Sequence, residues 1–336
     1  MRQTKYISRR LMFMSVVLML VGAGCGGGSS SSPTASSSAG RTFKSGGIYP
    51  EGIGIDASDH IWIANRYSNN VAELSSSGEV LNTIAVGTRP HGLKIDRGNT
   101  DNIWVQNTAS NDVTAIGADG SVIGTFPTGG TEPQHAQFDP GGNVWVTNQG
   151  SNTVAELDAS GAIVQQVSVG QNPHAIARDS DGNFWIGNYS SGNITVLDAT
   201  GAVVTTIGAV GYQPSGNAID PEQNLWQSVQ SFNQVVQFAA APGFDQIANP
   251  PVGIAPRGVT IDNVGNVFVA NQRTNDVYKL DPSGSMLAHY KVGACPENMA
   301  IDSKGNLWVT DACDNTVTRL RGVAVPIPSG DGDSNG

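Results

Sequence analysis

The chain has 336 residues, of which 14% are charged and 42 are Gly, and a formal net charge of −10. That length allows one large or two ordinary domains, and the acidity excludes partners with a phosphate backbone, so no nucleic-acid partner is expected. Val, Ile, Thr, Asn and Ser recur in short runs between glycines, a texture of short strands and tight turns that excludes a mainly helical fold.

Residues 1–24 read as an export signal. "MRQTKYISRR" carries Arg2, Lys5, Arg9 and Arg10 without an acid, and "LMFMSVVLMLVGAG" is an apolar stretch too short to span a bilayer comfortably. The stretch ends in "GAGC" and resembles a bacterial lipoprotein signal, whose cleavage leaves a lipid-bearing cysteine. Cys25 is the expected attachment site, with Gly22 where that pattern often has Leu. Processing there removes four cations and no acid and takes the net charge to −14. Residues 25–40, "CGGGSSSSPTASSSAG", cannot bury apolar surface and should form a flexible tether. The expected location is therefore the bacterial cell envelope, on the exported side, with membrane contact through the lipid alone.

From residue 41 to residue 328 the chain repeats one unit. Trp62, Trp104, Trp145, Trp185, Trp226 and Trp308 hold one repeat position, with Phe268 filling the gap, at intervals of 42, 41, 40, 41, 42 and 40 residues. Pro50, Pro90, Pro133, Pro173, Pro214, Pro256 and Pro296 each precede an Asp by six residues. That Asp precedes the aromatic by six, except where "RGNTDN" adds two. A period near 40 marks a propeller or solenoid. Each unit divides into four strands, as in "HAIARD", "FWIGN", "NITVLD" and "AVVTTIG", with "DGN" as a hairpin turn. The expected fold is all-β: a seven-bladed β-propeller of four-stranded antiparallel blades, with the tryptophans as spacers between sheets. The asparagines three residues after the aromatic (Asn65, Asn107, Asn148, Asn188, Asn271) and four residues further on (Asn69, Asn111, Asn152, Asn233, Asn275, Asn315) are expected to stabilise the turn between strands two and three.

The seventh unit lacks a clear fourth strand. "RTFKSGG" at the start of the repeat region aligns with the fourth strand of other units and is the favoured closing strand; Val323–Pro328 is the rival. Cys295 and Cys313 fall in two loops of this last unit that open on one face, and a disulfide is expected between them. Residues 329–336 form an acidic tail, expected to be disordered.

The residues after the repeat prolines form a ring at one mouth of the channel: Glu51, His91, Gln134, His174, Ser215, Arg257 and Glu297, the expected ligand-binding set together with His135. His91, His135 and His174 fall on three consecutive blades. His135 and the nearby Glu132 are candidate ligands for a divalent metal, Mg2+ or another, and the imidazoles are candidate acid–base groups. No Gly-x-Ser-x-Gly elbow, phosphate loop or His-Glu-x-x-His pattern occurs.

"PHAIARDSDGNFWIGN" and its copies, over about residues 47–320, resemble the repeats of NHL-type propellers and, among them, the virginiamycin B (streptogramin) lyase family. The resemblance implies a seven-bladed propeller. It also implies a histidine of a Pro-His loop acting as base beside carboxylate-held Mg2+ to open a cyclic ester by elimination. His91 and His174 match that Pro-His element and are the implied catalytic residues. Lyase repeats usually read Trp-Phe-Thr-Glu, whereas here Asn replaces that Glu in five units, Val229 in the fifth and Asp311 in the seventh. The expected role is therefore a binding or interaction module for a small-molecule, carbohydrate or protein ligand at the propeller face, acting as a monomer. The alternative is a metal-dependent lyase or hydrolase.

Overall fold

The computed structural model describes residues 40–326 except 98 and 209; the export signal, the tether up to residue 39 and the acidic tail lie outside the described residues. The described chain forms seven four-stranded antiparallel sheets, and its one helical turn is Gln230–Phe232. Blade 4 shows the plan: Pro173–Arg178, Phe184–Asn188, Asn193–Leu197 and Val203–Ile207 pair in sequence order.

The Pro–Asp–Trp spacing has a structural cause. Asp179 sits at the turn between the first two strands, where its Oδ1 accepts from the Asn183 N–H (2.8 Å) and its Oδ2 from Trp185 Nε1 (2.9 Å). Gly182 takes φ +87° in that turn, a region that costs other residues free energy. The same indole–carboxylate bond joins Trp62 to Asp56, Trp226 to Asp220 and Trp308 to Asp302 at 2.9–3.0 Å. In blade 2 the longer turn directs Asp96 to Asn99 and Thr100 instead.

The core consists of seven clusters, each straddling two blades. Trp308 of blade 7 packs with Ile53, Ile55 and Ile61 of blade 1, Trp62 with Ile95 and Ile103 of blade 2, and so on to Phe268 with Met299 and Leu307 of blade 7. Five of the six tryptophans are fully buried. They are spacers between sheets, as the repeat predicts.

The ring closes through its N-terminal end. Arg41–Lys44 pairs antiparallel with Thr316–Leu320, completing the seventh sheet. Phe43 lies 5.4 Å from the Trp308 ring and flush against Gly78 of blade 1, as Phe126 of blade 2 lies against Trp104 and against Gly161 of blade 3. The described part of the rival segment, residues 323–326, forms no strand. It lies against blades 6 and 7, where the Val325 N–H donates to Asp262 Oδ2 (3.0 Å) and the Val323 carbonyl accepts from Lys279 Nζ (2.7 Å).

Asn69, Asn111, Asn152, Asn233, Asn275 and Asn315 all adopt left-handed φ of 52–61°, as expected for a turn role. They also do something that a single unit cannot reveal. Each side-chain oxygen accepts from the backbone N–H of the residue before the next blade's proline, for example Asn69 from Arg89 (2.9 Å) and Asn315 from Tyr49 (2.8 Å). Those acceptors hold residues that are themselves left-handed in every blade. The asparagines thus fasten blade to blade. Cys295 and Cys313 form the expected disulfide, with Cα atoms 5.4 Å apart.

Candidate functional site at the channel mouth

In all seven blades the pairing of the first two strands shifts register just after the repeat proline. A bulge there re-aims the following side chain and puts the predicted ring at the mouth. The next position is crowded by the neighbouring inner strand. A Cβ on Gly52 would lie 2.6 Å from the His91 carbonyl oxygen, and one on Gly92 would lie 2.4 Å from that of Gln134. Small residues fill it in five blades; His135 and Asn298 are the exceptions.

A second ring, four residues after each aromatic, supports the first. Arg66 donates to both carboxylate oxygens of Glu51 (2.9 and 2.8 Å), and Gln134 Nε2 to Gln149 Oε1 (3.0 Å). Tyr189 lies against His174 (5.8 Å between rings), and the Gln230 side-chain oxygen accepts from Ser215 Oγ and from Arg257. Within each blade the partners are 15 residues apart (Glu51 and Arg66, Gln134 and Gln149, His174 and Tyr189, Ser215 and Gln230), a spacing that the repeat period carries. Glu297 instead reaches the preceding blade, accepting from Gln272 Nε2 (2.5 Å) and facing Arg257 Nε at 3.5 Å.

Glu51, Arg66, Gln134, Gln149, Arg257 and Glu297 line a cavity of about 480 Å3, with Tyr49, Tyr67 and Tyr189 on its wall. The Tyr49 and Tyr67 rings lie 5.0 Å apart. Burial raises the Glu51 carboxyl to about 7 against the opposing pull of Arg66, and burial likewise raises Glu297 against Arg257. The two acids and two guanidiniums hold each other in place and leave a polar bed of mixed sign.

At the centre lie His91, His135 and His174. Their ring centroids are 4.9–5.3 Å apart, and one nitrogen of each falls within 4.8 Å of the others. Burial lowers all three: His135 to about 4, helped by Lys94 and Arg257, and His91 and His174 well below the usual value, helped by the neighbouring histidines. They are neutral at physiological pH, with lone pairs available to accept a proton or a metal. His174 Nδ1 lies 3.0 Å from the Ser215 carbonyl oxygen. His91 and His174 meet although a blade separates them, because next-nearest blades converge close to the axis.

All the predicted ring residues reach this mouth. Ser215, His135 and Asn298 line its floor rather than the cavity above. Glu132 lines the cavity wall, but its carboxylate is not in the histidine cluster; His174 takes that place beside His91 and His135. Magnesium, which the lyase resemblance implies, does not fit these residues. It requires oxygen ligands, whereas the central donors are nitrogens, Glu51 and Glu297 are held by Arg or Gln, and the third carboxylate, Glu132, stands on the wall outside the histidine cluster.

Residues 41–238 match the family model described as the virginiamycin B lyase family. Among solved structures, virginiamycin B lyase from Staphylococcus aureus is similar, with a TM-score of 0.75, 16% identity, and coverage of 84% of this chain and 98% of that one. A catalytically inactive variant of that enzyme with quinupristin gives 0.74, 16%, 84% and 98%. Hydrazine synthase from Kuenenia stuttgartiensis gives 0.74, 15%, 82% and 96%. These likenesses show the fold. No curated protein matches the chain in sequence.

Proposed function

The chain belongs to the virginiamycin B lyase family, and from that premise we propose that it uses the family's propeller as an envelope binding module, exported and lipid-anchored through Cys25. The carrying observation is the state of the mouth: Glu51 with Arg66, Glu297 with Gln272 and Arg257, and Gln134 with Gln149 form a preorganised polar bed beside the tyrosines. Fixed polar groups of both signs flanked by aromatic faces suit a carbohydrate or a short glycopeptide, which offers hydroxyls and amides to the former and sugar faces to the latter. Preorganisation lowers the ordering cost of binding.

A second reading, lyase activity, draws support from the three neutral imidazoles gathered at the mouth, although burial lowers their basicity far below that of an effective general base at physiological pH. It is weakened by the carboxylates, which are engaged in ion pairs and hydrogen bonds.

One pair of measurements separates the two. Soluble peptidoglycan fragments are titrated into the mature chain by calorimetry, and quinupristin is incubated with it and followed by chromatography. Fragment binding that weakens at least about tenfold in Arg66→Ala, with quinupristin unchanged, is the expected result. Ring opening of quinupristin would establish the lyase reading instead. Absence of binding to any fragment would remove the proposed ligand class.

A further inference from the structure

We propose that His91, His135 and His174 bind one nitrogen-preferring transition-metal ion, Zn2+ or Cu2+, at the floor of the mouth.

Three imidazoles from three blades place one nitrogen each within 4.8 Å of the others. Zinc–imidazole bonds of about 2.0–2.1 Å put tetrahedral nitrogens roughly 3.4 Å apart, a distance that modest rotations of the three rings reach. A void of about 10 Å3 touches all three histidines, close to the smallest space that accepts one water-sized particle.

The surroundings orient the ligands. His174 Nδ1 lies 3.0 Å from the Ser215 carbonyl oxygen. As a donor there it leaves the Nε2 lone pair for a metal, the arrangement that fixes metal-binding imidazoles. His91 Nε2 faces Glu51 Oε2 at 3.9 Å, while its Nδ1 is buried without a partner. A buried imidazole nitrogen left unpaired is costly, and a metal bond would satisfy it. Neither guanidinium faces the floor without an acid beside it, since Arg66 pairs with Glu51 and Arg257 with Glu297. His91 and His174 line both the void and the larger cavity, so the ion's remaining position would open toward a bound ligand. Three neutral nitrogen donors select Zn2+ or Cu2+ over Mg2+.

The test uses chelator-treated mature chain. Zn2+ titrated by calorimetry should bind at one site, while Mg2+ at the same concentrations should not. His91→Ala, His135→Ala and His174→Ala, each checked for folding by circular dichroism, should each weaken Zn2+ binding at least about 100-fold. Glu132→Ala should leave it unchanged. One equivalent of Cu2+ on the unmutated chain should show electron paramagnetic hyperfine splitting from three nitrogens, a readout independent of variant folding. Absence of a stoichiometric Zn2+ site, a site that survives the histidine substitutions, dependence on Glu132, or fewer than three coupled nitrogens would each overturn the proposal. None of these outcomes bears on fragment binding, so this site and the proposed ligand stand or fall separately.

Discussion

Asp311 stands where five other blades carry Asn. In blades 2 and 4 that Asn donates Nδ2 to a threonine seven residues on, Thr114 and Thr195, at 2.9 Å. Asp311 Oδ2 instead accepts from Thr318 Oγ1 (2.6 Å), and its Oδ1 is buried without a partner. Burial raises its carboxyl from the ordinary 3.8 to about 7. The folded chain therefore binds this proton more tightly than the unfolded chain does. Its contribution is most favourable below pH 3.8, declines as pH rises through the 3.8–7 window, and stays unfavourable above. Asp311→Asn restores the common residue, and the Thr318 hydroxyl can rotate to accept. The variant should gain up to about 4 kcal/mol at pH 8 and little at pH 4. Melting temperatures of both proteins across that range decide it; an equal or lower value for the variant at pH 8 would refute the account.

Two elements hold the last blade. The Cys295–Cys313 bridge spans 18 residues, which the chain-entropy model values at about 3 kcal/mol. The loops it joins already hydrogen-bond, Ala312 N–H to the Cys295 carbonyl and Cys313 N–H to that of Ala294 (both 3.1 Å). Blade 2 makes the same pair of bonds without cysteine, through Thr108 and Ala109. The bridge therefore reinforces a turn that forms anyway, and Cys295→Ser/Cys313→Ser should fold natively but melt at a lower denaturant concentration by an amount equivalent to roughly 3 kcal/mol. Two reactive thiols in the unfolded, unreduced mature chain would show that the bridge is absent. The strand Arg41–Lys44 contributes more, because Phe43 caps Trp308 and lies under the guanidiniums of Arg41 and Arg319 at 4.9 and 5.1 Å. Losing such a ring costs about 3–5 kcal/mol, so deleting 41–44 should lower the melting temperature by roughly 5–15 °C. An unchanged melting temperature would mean that closure does not depend on this strand.

On the scale of the molecule, among the described residues no helix is long and apolar enough to cross a membrane. The membrane association proposed above is through a lipid at Cys25. Cys25→Ser should move the protein from the membrane to the soluble fraction of an expressing cell. Retention of the processed variant in membranes would point to another anchor.

The repeat position of each Trp, Asp, Pro and Asn is legible in the sequence because every blade solves the same local problem: a turn to cap, an indole to satisfy, an apolar face to cover. Seven repetitions of one answer reveal the period, the strands and the ring of residues at the mouth, and the placement of Cys295 and Cys313 follows from it. The tertiary structure decided what depends on ring radius and closure. It brought His174 to His91 and His135 where Glu132 had been expected, since inner strands converge on the axis. It sent Glu297 to Gln272 of the preceding blade, and the left-handed asparagines to the blade that follows. His60, which the repeat leaves without a partner, lies 2.8 Å from Glu73 on the third strand of its own sheet. A period orders positions along the chain, but contacts between blades arise only when the ring has closed and its neighbours stand at a fixed distance.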